Sequence, residues 1–272
     1  MILATITWNV NPEIFRIGSF AIRWYGLFFA LSFYLGYIIM ERIFKKEDIP
    51  LTLLDSLATY MIIATVIGAR LGHVLFYQPG YYLSHPIEIL KIWEGGLASH
   101  GAAIGIIFAL WLFSRKYNKT FFWTIDRIVI AVALAGFFIR MGNLMNSEIY
   151  GTTTNLPWGF IFVREPDHFT MGYGLPHHPT QIYEALSYLA IFGYLLWYYI
   201  KKNGKPLEGY LFSMFLILVF GVRFLLEFLK LPQVKEEQAY ILDLGQILSI
   251  PLILAGFYIL WNIHKKARLQ NE

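Results

Sequence analysis

The residues in this sequence best suited to chemistry lie where an apolar stretch ends, in FFIRMGNLMNSEIYG at positions 137–151. Nine consecutive positions hold one arginine, two asparagines and one glutamate, namely Arg140, Asn143, Asn146 and Glu148. A guanidinium group stays charged at any working pH, and it can donate two parallel hydrogen bonds to two oxygens of a phosphate. Because a charge costs at least about 2.5 kcal/mol at the centre of a membrane, such residues indicate a bundle interior or a wet cavity.

Other ionisable residues lie inside or beside apolar stretches as pairs at helical spacing. Arg70 and His73 are three positions apart in IGARLGHVLFY, and Arg223 and Glu227 are four apart in FGVRFLLEFLK. Each pair therefore shares one face of a helix. For Arg223 and Glu227, an ion pair that satisfies itself within one helix is an open alternative. For Arg70 and His73 the alternative is that both side chains extend to the membrane interface.

Three more polar residues complete the set of candidates. His100 lies among glycines in EGGLASHGAAIG, where missing side chains allow close approach by a helix or a ligand. Gln181 and Glu184 follow in HPTQIYE. A lone histidine can equally be a hydrogen-bonded structural residue, and asparagines can be polar contacts between helices. His177 and His178 lack a third ligand at suitable spacing, so we expect no metal site.

The composition indicates a membrane protein. Of 272 residues, 57% are hydrophobic and only 15% are charged, against about 25% charged residues in a soluble domain. The chain has no cysteine, which excludes disulfides, a thiolate nucleophile and thiolate metal sites within it. The N-terminus lacks the basic region and cleavage site of a signal peptide, so we expect the membrane segments to be retained. The net charge of +4 comes from loops, and we expect no nucleic-acid partner.

Seven stretches are predicted as membrane helices, which need about 20 mostly apolar residues. They cover residues 20–40, 52–76, 97–114, 121–139, 183–200, 209–229 and 244–263. Short basic loops alternate with longer, less basic ones, and the positive-inside rule places the basic loops in the cytoplasm. We therefore expect an all-α, polytopic membrane helix bundle of about seven transmembrane helices, with its N-terminus outside and its C-terminus cytoplasmic.

The segment 140–182 is expected to form a periplasmic or extracellular cap between the fourth and fifth membrane helices. Its prolines and glycines disfavour a continuous helix. Because the sequence contains no internal repeat, we expect residues 1–272 to be a single integral membrane domain that includes this cap. In this topology the candidate residues cluster toward the outer half of the bundle. Their arginines predict an anionic ligand, and the anion available at that depth is a phospholipid headgroup.

The stretch at 137–151 resembles the signature of the prolipoprotein diacylglyceryl transferase family, roughly Gly-Arg-x-Gly-Asn-Phe-x-Asn-x-Glu-x-x-Gly. The matching positions are Arg140, Gly142, Asn143, Asn146, Glu148 and Gly151. Ile139 and Leu144 replace the usual Gly and Phe with other residues, both apolar. Five further family elements follow in the expected order: IRWYGL at 22–27, GARLGHVLFY at 68–77, GGLASHGAAIG at 95–105, HPTQIYE at 178–184 and RFLLEF at 223–228.

The resemblance implies an enzyme of the bacterial cytoplasmic (inner) membrane whose active site faces the outer leaflet. Its partners would be phosphatidylglycerol and the signal peptide of a preprolipoprotein with a lipobox cysteine. The sn-1,2-diacylglyceryl group would pass to the cysteine thiol, releasing glycerol 1-phosphate, without any metal or cofactor. The absence of cysteine then makes chemical sense, because the nucleophilic sulfur arrives on the substrate.

The same resemblance assigns roles to individual residues. Those expected to act in catalysis are Tyr25, His100, Arg140 and Arg223. Those expected to bind or frame the substrate are Arg70, Asn143, Asn146, Glu148, Gly151, Gln181, Glu184 and Glu227. The two catalytic arginines would hold the phosphate, and His100 is the candidate base for the thiol, because an unperturbed imidazole titrates near pH ~6.5.

Other classes of membrane protein were weighed against this one. A transporter would favour internal repeats and broken midplane helices, and the sequence suggests neither. A retinal-type receptor needs a buried lysine within a span, which the apolar stretches lack. A protein that binds anionic phospholipid without chemistry stays open as an alternative.

Overall fold

A computed structural model describes residues 5–18, 20–92, 95–164, 174–231 and 242–269. Within these ranges the long helices are α1 (Trp24–Lys46), α2 (Leu51–Phe76), α4 (Ser99–Lys116), α5 (Phe121–Met145), α6 (Thr180–Lys201), α7 (Tyr210–Glu227) and α8 (Leu244–Leu269). The short helix α3 (Pro79–Ser84) and a 3-10 helix (Pro86–Leu90) connect α2 with α4. The chain is therefore mostly helical, as predicted.

Five helices in the described part of the chain are long and apolar enough to cross a membrane: α1, α2, α5, α7 and α8. Every one of the predicted stretches is occupied by a helix, but α4 and α6 are not among these candidate spans. The structure thus agrees with an all-α membrane protein that has several candidate spans.

Five helix boundaries differ from the prediction by three residues or more. α1 covers Trp24–Lys46 rather than 20–40, and α8 continues to Leu269 rather than ending at 263. The fourth predicted stretch ends at 139, yet α5 continues to Met145, and α6 begins at Thr180 rather than at 183. In both places the extra helical residues begin or continue with polar ones, such as Arg140 and Gln181, and hydropathy ends a predicted stretch where polar residues appear. The polar side chains there find partners inside the protein, so the helices continue through them.

Four short strands were not predicted. β1 (Ile6–Trp8) pairs in parallel with β4 (Phe160–Phe162), and β2 (Glu13–Ile17) pairs in antiparallel fashion with β3 (Phe20–Arg23). The Trp8 indole N–H donates to the carbonyl oxygen of Leu144, 3.0 Å away, at the end of α5. The β1–β4 pair therefore packs onto the end of the helix that carries the signature.

The fold forms two compact units. One contains the described residues of 1–39 and 128–272, and the other is Met40–Arg127. In the second unit α2 and α4 pack with their backbones in contact, because a Cβ added to Gly72 would lie 2.6 Å from the Cα of Gly101. The glycines of the two motifs at 68–77 and 95–105 thus serve close helix packing.

Candidate active site

Three helix ends bring polar residues together in the unit formed by 1–39 and 128–272. The end of α5 supplies Arg140 and Asn143, the start of α6 supplies Gln181 and Glu184, and the last turns of α7 supply Arg223 and Glu227. We call these residues, with Tyr25, Asn146, Glu148, Tyr188 and Lys230, the polar cluster.

Glu184 is the central carboxylate of the polar cluster. It is fully buried, with 0% of its surface exposed. The Nε atom of Arg140 lies 2.7 Å from Glu184 Oε2, in an ion pair that lacks the direction of a hydrogen bond. Lys230 Nζ donates to Glu184 Oε1 at 3.0 Å. One buried carboxylate thus bridges two cations on different segments, which offsets the cost of burying each charge.

Lys230 was missed by the sequence reasoning. Its ammonium is buried and also pairs with Glu227 Oε2 at 2.9 Å. Glu227 in turn contacts the start of α8, since a Cβ on Gly245 would lie 2.6 Å from its carboxyl carbon. The signal was present in the sequence, because Lys230 follows Glu227 by three positions in RFLLEFLK.

The amide side chains form the second half of the polar cluster. Arg140 Nη1 donates to Asn143 Oδ1 at 3.1 Å, and Asn143 Nδ2 donates to Glu148 Oε1 at 2.8 Å. Asn146 Nδ2 reaches the same Glu148 oxygen at 3.2 Å. Gln181 Nε2 donates to the main-chain oxygen of Glu148 at 2.7 Å. The signature residues therefore act as one hydrogen-bonded group that ends at Arg140.

Two tyrosines and Arg223 complete the polar cluster. Tyr25 interacts electrostatically with both Glu148 and Arg140, and its ring packs on Gly142, where a Cβ would lie 2.7 Å from Tyr25 Cδ2. The hydroxyl of Tyr188 contacts Arg140 and lies within the electrostatic influence of Arg223. Among the residues the structure describes, the guanidinium of Arg223 forms no hydrogen bond and no ion pair. Within that part of the chain, its N–H donors have no partner.

Gly151 holds the loop after α5 against the other elements. Its N–H donates to the carbonyl oxygen of His178 at 2.8 Å, and a Cβ at this position would lie 2.5 Å from the carbonyl oxygen of Leu229. No side chain fits there without a shift of the backbone. The role of Gly151 is therefore to let the backbone pass close to its neighbours beside the polar cluster.

Beside Gly151 lie the two histidines of the segment before α6. The His177 ring nitrogen Nδ1 lies 2.8 Å from the carbonyl oxygen of Gly151, and the ring is buried. Burial, followed by the neighbouring His177, lowers the pKa of His178 below its usual range. His178 is therefore biased toward its neutral form.

Arg70, His73 and His100 lie in the unit Met40–Arg127. The buried guanidinium of Arg70 donates to main-chain oxygens of Glu88, Ile89, Gly95 and Gly96, at 2.5 to 3.3 Å. These carbonyl groups accept from four of its five N–H donors, so the geometry gives Arg70 a structural explanation. Its predicted contact with substrate stays a prediction.

The His100 ring is exposed at the start of α4, with ring centroids 5.2 Å from Phe76 and 5.7 Å from Tyr77. His73 stacks on the same Tyr77 at 5.5 Å. Within the described ranges these aromatic contacts are the interactions of the His100 side chain, and no hydrogen bond fixes its ring nitrogens. The predicted role of His100 as a base is not tested by this arrangement.

Comparison with known proteins decides the family. A family model described as prolipoprotein diacylglyceryl transferase matches residues 12–262. The chain belongs to the prolipoprotein diacylglyceryl transferase family. The resemblance noted in the sequence is confirmed, and the several membrane-crossing helices make the chain a multi-pass membrane protein.

Curated relatives agree over almost the whole length. The phosphatidylglycerol-prolipoprotein diacylglyceryl transferase of Tolumonas auensis is 49% identical over 96% of this chain and 99% of its own. The proteins of the same name from Chloroherpeton thalassium and Porphyromonas gingivalis are each 44% identical, over 97% and 94% of this chain and of their own. The similarity therefore includes both units of the structure.

Proposed function

We propose that this chain transfers the sn-1,2-diacylglyceryl group of phosphatidylglycerol to the lipobox cysteine of a prolipoprotein, which is the first step of lipoprotein maturation. The proposal rests above all on family membership over residues 12–262. The names of its relatives supply the two substrates. The polar cluster offers the arginines that such a phospholipid substrate requires.

The reaction is a displacement at a glycerol carbon. The cysteine sulfur forms a bond to that carbon while the bond between the carbon and the phosphate oxygen breaks. The electron pair of the broken bond stays on the phosphate oxygen, and the thiol proton passes to a base. The products are a thioether and glycerol 1-phosphate. Negative charge therefore grows on the phosphate, and cations placed there accelerate the reaction.

Arg140 and Arg223 are the groups we assign to the phosphate. Arg140 contacts the hydroxyl of Tyr188, and Arg223 influences the same hydroxyl electrostatically. The polar cluster holds three cations (Arg140, Arg223, Lys230) and three carboxylates (Glu148, Glu184, Glu227), which leaves it neutral without ligand. An anion would thus be bound by the unshared donors of Arg223 and by realignment of Arg140, rather than by a large net charge.

The remaining residues of the polar cluster are assigned by their contacts. Tyr25 and Asn143 orient the glycerol or the phosphate. Glu148, Glu184 and Glu227 hold the cations, directly or through the asparagines. Gln181 positions the loop through Glu148. Its amide oxygen is buried without a hydrogen-bond partner in the described part of the chain, so it can accept one from a substrate hydroxyl.

His100 is assigned as the base on residue type and resemblance. A free thiol has a pKa of about 8.5, so most of it is protonated at neutral pH and a base raises the reactive fraction. Replacing His100 with Gln should lower the transfer rate strongly at pH ~7 and less at pH ~9, since the thiol then ionises unaided. A loss of the same size at both pH values would exclude this role.

The topology belongs to the same proposal. We propose that α4 and α6 complete a bundle of seven spans with the five candidates. At about 1.5 Å per residue, α4 is roughly 27 Å long and α6 roughly 33 Å, close to the ~30 Å of a bilayer core. We place the N-terminus outside, the C-terminus in the cytoplasm, the segment 140–182 as an outer cap, and the protein in the bacterial inner membrane.

One assay tests the function. Purified protein is incubated with labelled phosphatidylglycerol and a lipobox peptide, with a peptide carrying Ser in place of Cys as the control. We expect the Cys peptide to gain the mass of a diacylglyceryl group and one equivalent of glycerol 1-phosphate to appear. Lipid binding without any change in peptide mass would contradict the enzyme and favour a lipid-binding protein.

A further inference from the structure

Tyr188 is a buried tyrosine at the point where the charged side chains meet. It lies one helical turn after Glu184 on α6 and is 6% exposed. Its hydroxyl is 3.5 Å from Glu184 Oε1, contacts the guanidinium group of Arg140 and lies within the electrostatic influence of Arg223. Tyr188 thus places a neutral hydroxyl beside Arg140 and within the electrostatic influence of Arg223.

The ring of Tyr188 has a fixed position. It packs directly on the backbone of α5, since a Cβ on Gly136 would lie 2.9 Å from Tyr188 Cδ2. A rigid ring delivers its hydroxyl to a defined place, as a catalytic group requires. At 3.5 Å the contact with Glu184 is long, because O–H···O hydrogen bonds centre near ~2.8 Å. The hydroxyl proton is therefore weakly engaged and free to turn to a ligand.

We propose that Tyr188 is a further catalytic residue, whose hydroxyl donates a hydrogen bond to the phosphate of the bound lipid. The inference rests on the proposed function. As the C–O bond breaks, the electron pair moves onto the leaving phosphate oxygen and this hydrogen bond strengthens. Tyr188 keeps its proton throughout. A phenol adds a hydrogen-bond donor without adding a charge. It therefore stabilises the negative charge growing on the phosphate and leaves the polar cluster neutral.

The expected effect falls mainly on kcat. Removal of one donor to a developing oxyanion typically lowers kcat by about 10²-fold to 10³-fold. We expect Tyr188→Phe to lower kcat by roughly 10²-fold, with KM for phosphatidylglycerol changed less than about threefold, since the two arginines still bind the ground state. A side chain with only a packing role would leave kcat of the folded enzyme unchanged, because Phe preserves the ring.

Tyr194→Phe is the matched control. Tyr194 lies on the same helix, and its hydroxyl is 3.0 Å from the hydroxyl of Tyr210, away from the assigned residues. The control should retain kcat within about twofold. Equal kcat values in Tyr188→Phe and Tyr194→Phe would overturn the inference. If the wild-type protein itself transfers no diacylglyceryl group, the proposed function fails instead.

A second variant covers the case in which Tyr188→Phe does not fold. Difluorotyrosine introduced at position 188 keeps the ring and the hydroxyl but ionises at lower pH than tyrosine. We expect the alkaline limb of the kcat profile to move to lower pH, because the donor proton is lost earlier. A profile identical to that of the wild-type protein would exclude Tyr188 as a donor.

Discussion

Arg70 and Arg223 are both arginines near the ends of long helices, yet their surroundings differ. Arg70 is buried and donates to four main-chain oxygens. Arg223 forms no hydrogen bond or ion pair among the described residues, although it interacts with Tyr188. The fold holds these main-chain carbonyl groups in place, so four N–H donors of Arg70 already have hydrogen-bond partners. Those of Arg223 have no partner in the described part of the chain.

We therefore expect Arg70 to contribute mainly to folding stability and Arg223 mainly to ligand binding. Loss of Arg70 would leave several carbonyl oxygens without their partner, which costs folding free energy. Loss of Arg223 would leave none of the described groups without a hydrogen bond. Arg70 and Arg223 have the same residue type and similar positions in their helices. They differ in their hydrogen-bond partners.

The largest effect is expected from the arginines of the polar cluster. Arg223→Ala should lower diacylglyceryl transfer by about 10²-fold to 10³-fold, because charge growing on the phosphate loses its counter-charge. Its melting temperature should stay close to that of the wild-type protein. Arg140→Ala should lose as much activity and some stability, since Glu184 loses an ion pair. Normal turnover in both variants would remove the arginines from the mechanism.

Lys230 tests whether the carboxylates of the polar cluster need their buried cation. Lys230→Met removes the partner of Glu184 and Glu227, and breaking a buried pair costs about 3–5 kcal/mol. We expect a large fall in unfolding free energy, measured by denaturant titration in detergent. Lys230→Arg, which keeps the charge, should recover most of it. Equal stability of Lys230→Met and the wild-type protein would contradict the buried pairing.

Arg70→Ala tests directly whether Arg70, unlike Arg223, contributes to stability rather than to transfer. We expect a loss of about 3 kcal/mol in folding free energy, from hydrogen bonds between a charged donor and buried carbonyls. The transfer rate per folded molecule should stay within about threefold of the wild-type rate. Lost transfer with unchanged stability would instead support the substrate contact predicted for Arg70 from the sequence.

The smallest effect concerns pH. Arginines do not titrate, so mild acid leaves both arginine sites charged, but His178 has a folded pKa below its unfolded value. As pH falls below about 6.5, the unfolded chain takes up the proton first, and stability decreases until the folded pKa is passed. The melting temperature should fall between pH ~7.5 and ~5.5 slightly more in the wild-type protein than in His178→Asn. An identical fall would exclude this contribution.

Hydropathy predicted the position of every long helix, because apolar side chains dominate those stretches. It placed the end of α5 and the start of α6 wrongly, where Arg140, Asn143 and Gln181 continue a helix, and it also misplaced both ends of α1 and the end of α8. The β1–β4 pair joins residues far apart in sequence, such as Ile6 and Phe160, and three-residue strands leave no local signal.

The site was predicted in part. The structure brings Arg140, Asn143, Glu148 and Glu184 together as one hydrogen-bonded and ion-paired group. Lys230 and Tyr188 were missed, since a lysine at a span end and a tyrosine in an apolar helix are common features of membrane proteins. Nor did the sequence distinguish Arg70 from Arg223, because the carbonyl oxygens around Arg70 belong to loops that no side-chain pattern specifies.

The central claim is that guanidinium groups of the polar cluster bind the phosphate of phosphatidylglycerol. Solid-state NMR can detect the contact between nitrogen-15 arginine and phosphorus-31, in uncharged glycolipid bilayers that contain one equivalent of phosphatidylglycerol. The contact should appear in the wild-type protein and in Arg70→Gln, and should weaken in Arg223→Gln and in Arg140→Gln. A contact that persists in both of these variants, or that disappears only in Arg70→Gln, would contradict the account.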